Sequence, residues 1–374
     1  MDLLALADQF NREGNLSEAV DLYLQCFEAT PDNTEINDRL WNLIQNYTLD
    51  EFLLEKIIKV YQNILQEQEN LLFCYTVLGD ALTKQNQIHE AVKVYQKANY
   101  INCLNLKPEY GHNYWALEEP HKPDFIIMGA QKCGTTSLYY YLNQHPQILQ
   151  TFQKETRFFS WNWVESQAGK DWYLSHFPQL PQGESFLTGE ASPDYFYFPD
   201  SEKRLFSMFP DTKLILLLRN PIDRSISDYY HSKRYGAEPR SLEEVLKIQT
   251  ILLYKIANNE IVLSDQLLDE MQPNYFLNSV YIYFIEKWLS LFPRNQLLVL
   301  ATEDLELKPK ETMKVVYSFL GVCYHDIEEY FKHNSNSYPP ISSSFRQTLY
   351  EHFQPFNKML EEYLGCNPIL YHRR

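Results

Sequence analysis

A glycine-bounded loop near the middle of the chain has residue types that suit anion binding. In GAQKCGTTS, Gly129 and Gly134 have the spacing of the phosphate-binding pattern G-x-x-x-x-G-K-[ST]. Thr135 occupies the lysine position of that pattern, and Lys132 lies inside the loop, before the second glycine. Backbone N–H groups and the positive end of a following helix would bind a phosphate or sulfate here.

The displaced lysine indicates the kind of ligand. In kinases and NTPases, the lysine after the second glycine contacts the β- and γ-phosphates, and the next hydroxyl binds Mg²⁺. Here Thr135 and Thr136 offer hydroxyls and backbone donors, while Lys132 supplies the cation from within the loop. This arrangement favours a donor with a single anhydride and no metal over a triphosphate. On spacing alone, an atypical kinase is an equal alternative.

A second candidate anion site lies in LRNPIDRSISDYYHSKR. Arg219 ends an apolar run, and Asn220-Pro221 makes a turn into a helix that Pro221 suits at its first position. Ser227 lies about two turns into that helix. An arginine and a hydroxyl that converge at a strand end form a forked anion site. Taken alone, an ordinary strand–turn–helix connection has the same pattern.

From about residue 113, short apolar runs alternate with helical stretches, and these elements would position the candidate residues. The runs cover residues 124–129, 212–221 and 296–305, with a weaker fourth at 185–193. Continuous apolar runs indicate strands buried on both faces, and hence a parallel α/β sheet. Ligands of such sheets bind beyond the carboxyl ends of the strands. Both candidate anion sites lie at such ends.

The chain before residue 107 has a helical pattern with a recurring phrase. EAVDLYLQ, KIIKVYQN and EAVKVYQK align Tyr23, Tyr61 and Tyr95, and their spacing is typical of tetratricopeptide helix pairs. We therefore predict an all-α, TPR-like helical repeat domain over residues 1–107 and an α/β domain over residues 108–374. Amphipathic helices that only cap the main domain are the alternative.

Composition excludes some classes of protein. The formal net charge of −16 argues against a general nucleic-acid binder, which needs a basic face. The start of the sequence lacks a basic segment followed by an apolar run, and no apolar stretch approaches the ~20 residues of a membrane helix. We therefore expect a soluble, cytoplasmic protein. The six cysteines have no C-x-x-C spacing, which argues against a metal site or disulfide framework.

Both candidate anion sites resemble motifs of one enzyme family. QKCGTTSL is similar to QKxGTTxL, the 5′-phosphosulfate loop of sulfotransferases that use 3′-phosphoadenosine 5′-phosphosulfate (PAPS). Arg219 and Ser227 match the arginine and serine of R-[DN]-P-x-x-R-x-x-S, which bind the ribose 3′-phosphate in that family. Arg224 matches the inner arginine, for which a structural ion pair is expected.

The resemblance implies a set of donor-binding residues and no metal ion. In the loop these are Lys132, Cys133, Gly134, Thr135, Thr136 and Ser137. Cys133 fills the variable position of the motif, so we expect its side chain to be structural and not nucleophilic. Lys132 is also expected to act in catalysis.

A third stretch resembles the general-base motif of the heparan sulfate branch of the family. QKETRFFSW, residues 153–161, is similar to K-E-x-x-[FY]-F of the glucosaminyl N- and 3-O-sulfotransferases. The resemblance implies that Glu155 is the base and Lys154 its neighbouring cation. A carboxylate within hydrogen-bond reach can take the acceptor's proton as the sulfuryl group arrives. A surface Lys-Glu pair before two core phenylalanines is the alternative.

Three further matches are softer. GEASPDY follows the family's E-K-[ST]-P-x-Y segment with Ala191 in place of the lysine, which suggests an acceptor unlike anionic heparan. His231 matches a histidine of some N-sulfotransferases and is a candidate catalytic residue, with an exposed helix histidine as the alternative. In NSNSYPP, Ser337 and Tyr338 are candidates for donor contacts.

These observations predict a P-loop-like sulfotransferase domain preceded by a helical repeat domain. Its reaction would be in-line transfer of a sulfuryl group from PAPS to a hydroxyl or amine, with a carbohydrate or glycan favoured. The helical repeats are a candidate surface for a protein partner. Two other classes stay open: an atypical P-loop kinase or NTPase that uses ATP and Mg²⁺, and a TPR-type interaction protein with an inactive enzyme domain.

Overall fold

A computed structural model describes residues 2–114, 121–161, 165–179, 186–333 and 338–365. The chain forms two compact units. The first, termed the helical unit, comprises Met1–Lys122, Leu149–Gln153 and Trp163–Thr188, and the second, termed the α/β unit, comprises Pro123–Ile148, Lys154–Asn162 and Gly189–Arg374. The boundary at residue 107 stays a prediction. Two segments from the middle of the chain thus belong to the helical unit.

The described residues contain seventeen α-helices. In chain order they are α1 (Leu3–Glu13), α2 (Leu16–Ala29), α3 (Thr34–Asn46), α4 (Glu51–Glu67), α5 (Leu72–Lys84), α6 (Ile88–Leu106), α7 (Pro108–Tyr114), α8 (Thr135–Asn143), α9 (Gln167–Leu174), α10 (Ser201–Met208), α11 (Pro221–Arg234), α12 (Leu242–Ala257), α13 (Asp265–Glu270), α14 (Tyr281–Leu289), α15 (Thr302–Leu307), α16 (Pro309–Leu320) and α17 (Ser343–Leu364). Short 3₁₀ turns cover Leu277–Ser279 and Arg294–Gln296. Among the described helices, none is long and apolar enough to cross a membrane.

Local sequence explains where the N-terminal helices begin and end. The Asn33 side chain accepts hydrogen bonds from the backbone N–H groups of Glu35 and Ile36 at the start of α3, and Asp50 accepts one from Leu53 at the start of α4. Such caps satisfy N–H groups that have no partner within the helix. Gly14 ends α1 at φ 80°, a conformation that glycine adopts without strain.

The three aligned tyrosines have equivalent environments in three successive helix pairs. Each is fully buried and lies on the second helix of its pair. Each hydroxyl donates a hydrogen bond to the first helix of the same pair: Tyr23 to Asp8 (2.6 Å), Tyr61 to Asn37 (3.0 Å) and Tyr95 to Asp80 (2.5 Å). The predicted all-α segment is therefore confirmed, and its assignment to the TPR class stays a prediction.

A five-stranded sheet has the order β2-β3-β1-β4-β5. The strands are β1 (Phe125–Gly129), β2 (Ile148–Gln150), β3 (Leu187–Glu190), β4 (Lys213–Leu218) and β5 (Leu297–Ala301). β1 pairs in parallel with β3 and with β4, and β4 pairs in parallel with β5. The predicted α/β fold is confirmed. The three-residue edge strand β2 was missed because so short a run gives no apolar pattern.

Strand order brings the two candidate anion sites to one edge of the sheet. β1 and β4 are neighbours, and Gly129 lies opposite Leu216 in the paired register. The loop after β1 and the turn after β4 therefore begin side by side. β4 is almost wholly buried, as its continuous apolar sequence predicts.

Candidate active site

The loop after β1 is fixed by backbone conformation and by its neighbours. Lys132 has φ 67°, and Gly134 adopts φ 84° at the N-cap of α8. The hydroxyl of Thr302 lies within hydrogen-bond distance of the carbonyl oxygens of Cys133 (2.8 Å) and Leu218 (3.0 Å) and can share its one proton between them, which holds the loop against β4 and the end of β5. Because a glycine has no side chain to cap α8, the N–H groups of its first turn are left for an anion.

A cleft of about 390 Å³ opens beside this loop in the α/β unit. Ten of the predicted site residues line it: Lys132, Gly134, Thr135, Thr136, Ser137, Glu155, Arg219, Ser227, His231 and Tyr338. They come from separate parts of the chain. The structure therefore brings the proposed donor-binding and catalytic groups into one space, and Ser337 lies outside the described residues.

Among the described residues of the loop that were predicted to bind the donor, Cys133 does not line this cleft. Its thiol is fully buried, 3.7 Å from the carbonyl oxygen of Gln131 and 3.9 Å from the hydroxyl of Tyr281. Burial raises the pKa of this thiol to about 11. A neutral, enclosed thiol is a poor nucleophile, which agrees with the expected structural role of the side chain. Its backbone can still contribute to the loop.

The turn after β4 places an arginine and a hydroxyl on the same cleft. The side chain of Asn220 caps α11 by accepting hydrogen bonds from the N–H groups of Ile222 (3.0 Å) and Asp223 (3.4 Å). One Arg219 Nη donates to the carbonyl oxygen of Lys132 at 3.3 Å. The second candidate anion site thus directly contacts the first candidate site.

Ser227 has a partner from the C-terminal part of the chain. Its hydroxyl lies 3.0 Å from the hydroxyl of Tyr338, and the Tyr338 ring stacks on that of Tyr230 with centroids 5.0 Å apart and an interplanar angle of 7°. Two hydroxyls therefore converge at this end of the cleft. Hydroxyl pairs of this kind can donate to the oxygens of a phosphate.

Arg224 does not face the cleft. It is fully buried, forms an ion pair with Asp228 at 3.2 Å and donates from Nε to Ser279 at 2.5 Å. The structural ion pair expected for this arginine is therefore confirmed. Its bonds to residues outside α11 help fix the helix that carries Ser227 and His231.

The candidate base, Glu155, lies between two cations. Its carboxylate is 2.5 Å from Lys154 Nζ and 3.3 Å from one Nη of Arg157. Burial alone would raise the pKa of this carboxyl group, but the two cations outweigh burial and hold it below the usual 4.5. Glu155 is therefore ionised, and able to accept a proton, across the neutral pH range.

The loop that carries Glu155 is fixed by a buried carboxylate at the end of β3. Glu190 is fully buried. Its Oε2 accepts hydrogen bonds from the hydroxyls of Thr156 (2.9 Å) and Ser192 (2.6 Å), and its Oε1 accepts one from Tyr195 (3.0 Å). Because Thr156 follows the base directly, these bonds restrict where the Glu155 carboxylate can lie.

Arg157 is a cleft residue that the sequence did not reveal. It lines the cleft with 51% of its side chain exposed, and its N–H donates to the Ser192 hydroxyl at 3.1 Å. Its φ of 51° is rare for a residue with a side chain. The family motif allows any residue at this position, so the only available signal was its place two residues after the base.

The residues at the far end of the cleft were also not predicted from the sequence. Its walls include Thr302, Tyr330, Lys332 and His333. The backbone N–H of His333 donates to the hydroxyl of Ser137 at 3.1 Å, which joins the C-terminal segment to α8. These residues follow β5 and belong to none of the three motifs.

Positive charge is concentrated in the cleft. Burial lowers the pKa of Lys132, and Arg234, Arg224 and Arg219 lower it further, against the attraction of Asp228. Burial, followed by the charge of Lys132, also lowers the pKa of His231. Crowded cations favour an anionic ligand. Within the described part of the chain, no cluster of three or more His, Cys, Asp or Glu side chains could hold a metal ion.

The fold and this cleft define a class of protein. Residues 122–351 match the family model described as a sulfotransferase domain, so the chain belongs to the sulfotransferase family.

The matched relatives include the membrane-associated sulfotransferase kil1 of Dictyostelium discoideum, which is 29% identical over an alignment of 310 residues that covers 65% of this chain and 65% of that protein. The bifunctional heparan sulfate N-deacetylase/N-sulfotransferase 4 of Mus musculus is 30% identical over 281 residues, covering 67% of this chain and 31% of that enzyme. The chain therefore spans less than two thirds of either relative. The predicted resemblance to the heparan sulfate branch is confirmed.

A solved structure agrees with the family assignment. The crystal structure of a sulfotransferase from Alicyclobacillus acidocaldarius superposes with a TM-score of 0.52 at 26% identity. The match covers 66% of this chain and 97% of that one.

Proposed function

We propose that this protein transfers a sulfuryl group from PAPS to a hydroxyl or amine group of an acceptor, with a glycan favoured. One observation carries the proposal: two anion sites, at the ends of adjacent strands, open into one cleft that also contains an ionised carboxylate. A single nucleotide with phosphate-type groups at both its 5′ and 3′ positions has the chemistry to engage both sites.

The described residues fit such a donor. The uncapped start of α8 and the Lys132 ammonium group would bind the 5′-phosphosulfate. Arg219 and Ser227, with Tyr338 beside Ser227 at 3.0 Å, would bind the 3′-phosphate. The contact of Arg219 with the carbonyl oxygen of Lys132 links the two groups of residues.

The reaction would form a bond from the acceptor oxygen or nitrogen to sulfur and break the bond from sulfur to the bridging phosphate oxygen. Glu155 would take the proton that the acceptor loses. Lys132 and the N–H groups at the start of α8 would stabilise the negative charge that develops on the leaving oxygen. Each group would act from the position it already occupies. Positioned donors of this kind need no reorganisation during the reaction.

The acceptor class rests on the relatives and on two residues near the candidate base in the sequence or the cleft. The relatives of the heparan sulfate branch bear names that include this glycan. Ala191 is fully buried where the family motif has a lysine, and the half-exposed Arg157 is the nearby cation in the cleft. We infer that the acceptor is a carbohydrate and that Arg157 contacts it. We also infer that the helical repeats bind a protein partner or carrier.

A thermal-shift comparison tests the proposed function. We expect 3′,5′-adenosine bisphosphate without metal to raise the melting temperature, because a ligand at 100 times its Kd stabilises the folded state by about 2.7 kcal/mol. ATP with Mg²⁺ should have a smaller effect. Stabilisation by ATP with Mg²⁺ alone would support a kinase or NTPase, and no response to either nucleotide would support an inactive enzyme domain.

Replacing Arg219 should weaken donor binding more than it slows chemistry. In Arg219→Ala, loss of a charge-assisted hydrogen bond, which contributes about 1.5–3 kcal/mol, should raise the Kd for 3′,5′-adenosine bisphosphate by roughly 10- to 100-fold. The rate at saturating donor should change much less. Isothermal titration calorimetry measures the first quantity and initial rates the second.

Arg346→Ala is the matched control. Arg346 forms an ion pair with Asp223 at 2.8 Å and is not among the residues that line the cleft. We expect Arg346→Ala to bind 3′,5′-adenosine bisphosphate with the wild-type Kd. An unchanged Kd in Arg219→Ala would show that the turn after β4 does not bind the 3′-phosphate.

A further inference from the structure

We propose that the helical unit, besides the partner binding inferred above, positions the loop that carries the proposed catalytic base. This loop, residues 154–161, is termed the base loop. The positioning residues form the Tyr95 cluster, which consists of Asp80, Tyr95, Phe152, Trp172 and His176, all within the helical unit. The kinetic consequence rests on the proposed function, whereas the structural consequence does not.

Chain connectivity is the first observation. Leu149–Gln153 ends at the residue before the base loop, and Trp163–Thr188 begins shortly after it, and both segments belong to the helical unit. The base loop is therefore a short segment of the α/β unit, and the chain continues from each of its two ends into a segment of the helical unit. The first segment begins in β2 and the second ends in β3, and any movement of the residues between those strands and the loop changes the end points of the loop.

Ring contacts join the two segments to α6. The Tyr95 ring lies 4.2 Å from the His176 ring, 5.8 Å from the Trp172 ring and 6.3 Å from the Phe152 ring, measured between centroids. The backbone N–H of Phe152 donates to the carbonyl oxygen of His176 at 2.9 Å. Tyr95 thus packs between the chain that enters the base loop and the chain that leaves it.

Hydrogen bonds connect the same segments to α5. The Tyr95 hydroxyl donates to Asp80 Oδ1 at 2.5 Å, and the Asp80 carboxylate also interacts with the side chain of Gln153, two residues before Glu155. Trp172 Nε1 donates to the hydroxyl of Thr83 at 2.8 Å. Buried bonds of this kind fix a conformation because breaking one leaves a polar group without a partner.

The chain provides its own matched control. Tyr23 in α2 has the same burial and the same tyrosine–aspartate hydrogen bond as Tyr95. Its partner Asp8 forms an ion pair with Arg39 of α3 at 2.6 Å, so this bond connects helices of the first two pairs. Tyr23→Phe and Tyr95→Phe therefore remove the same chemical group from equivalent positions.

Hydrogen exchange measured by mass spectrometry on the full chain tests the inference. In Tyr95→Phe we expect exchange of the base-loop amides to be about tenfold faster than in the wild type, the size expected for loss of one hydrogen bond. In Tyr23→Phe, exchange of the base loop should be unchanged. Both variants should bind 3′,5′-adenosine bisphosphate with the wild-type Kd.

Kinetics provide a second readout. Tyr95→Phe should lower kcat several-fold with no change in the KM for the donor, whereas Tyr23→Phe should leave both unchanged. Trp172→Phe removes the bond to Thr83 while keeping an aromatic ring, and should reproduce the faster exchange if Tyr95→Phe does not fold.

Wild-type exchange of the base loop in both Tyr95→Phe and Trp172→Phe would overturn the inference. So would equal acceleration in Tyr23→Phe, because general destabilisation would then explain the result. Absence of nucleotide binding and turnover in the wild type would contradict the proposed function alone, since the exchange comparison does not depend on activity.

Discussion

Glu155→Gln should lower kcat by about 10²–10⁴, the usual contribution of a general base. The substitution keeps the size of the side chain and its capacity to accept a hydrogen bond, but removes the group that takes the proton. Single-turnover transfer of radiolabelled sulfate measures the effect. The Kd for 3′,5′-adenosine bisphosphate should stay within about twofold of the wild-type value, because Glu155 lies outside both proposed phosphate sites.

The pH dependence of the wild type gives an independent check on Glu155. Because Lys154 and Arg157 outweigh burial and lower the pKa of its carboxyl group below 4.5, the base is present at neutral pH. Its contribution to the rate should be lost only as the pH falls through that lowered value.

Glu311→Gln, at an exposed position on α16, is the control for Glu155→Gln and should retain the wild-type rate. Near-wild-type turnover of Glu155→Gln with every acceptor tested would exclude Glu155 as the base.

Lys132→Ala should lower kcat by about 10²–10³, equivalent to ~3–4 kcal/mol of transition-state stabilisation. The loss is expected because the ammonium group would stabilise the oxygen on which negative charge develops, and water cannot replace a positioned cation in a partly buried loop. Quench-flow at saturating donor separates this loss from weaker binding. The fold should persist, as circular dichroism would show.

Lys310→Ala is the matched control for this prediction. Lys310 forms an exposed ion pair with Asp326 at 3.1 Å and is not among the residues that line the cleft, so the variant removes a surface cation. Exposed pairs contribute little to stability, and we expect wild-type kcat. If Lys132→Ala also showed wild-type kcat at saturating donor, the loop lysine would have no part in the chemistry.

Local sequence was sufficient to predict the elements that carry the donor residues. β1, β4 and β5 are continuous apolar runs, and each coincides with a predicted run to within a few residues; Gly129 ends β1, and an Asn-Pro turn follows β4. Such elements are specified by residues adjacent in the chain. The phosphate-binding loop follows from the same local signal, because its glycine spacing and the start of α8 are contiguous.

The features of the site that were not predicted from the sequence depend on contacts between residues that are distant in the chain. Arg157 occupies a variable motif position, and the Glu190 network acts through hydrogen bonds that no spacing rule describes. His333 reaches Ser137 across 196 positions of sequence. The assignment of residues 163–188 to the helical unit was not predicted either, because it depends on packing between residues distant in sequence, such as Tyr95 against Trp172 and His176.

The two cations that flank Glu155 would also affect how the proton taken up by Glu155 is released after each turnover. With the carboxylate ionised, the trio of Lys154, Glu155 and Arg157 has one net positive charge, and protonation of Glu155 leaves two cations facing each other without an anion between them. If Glu155 is the base, their mutual repulsion would favour release of the captured proton to bulk water. The enzyme would therefore restore its own resting state between cycles without a dedicated proton relay.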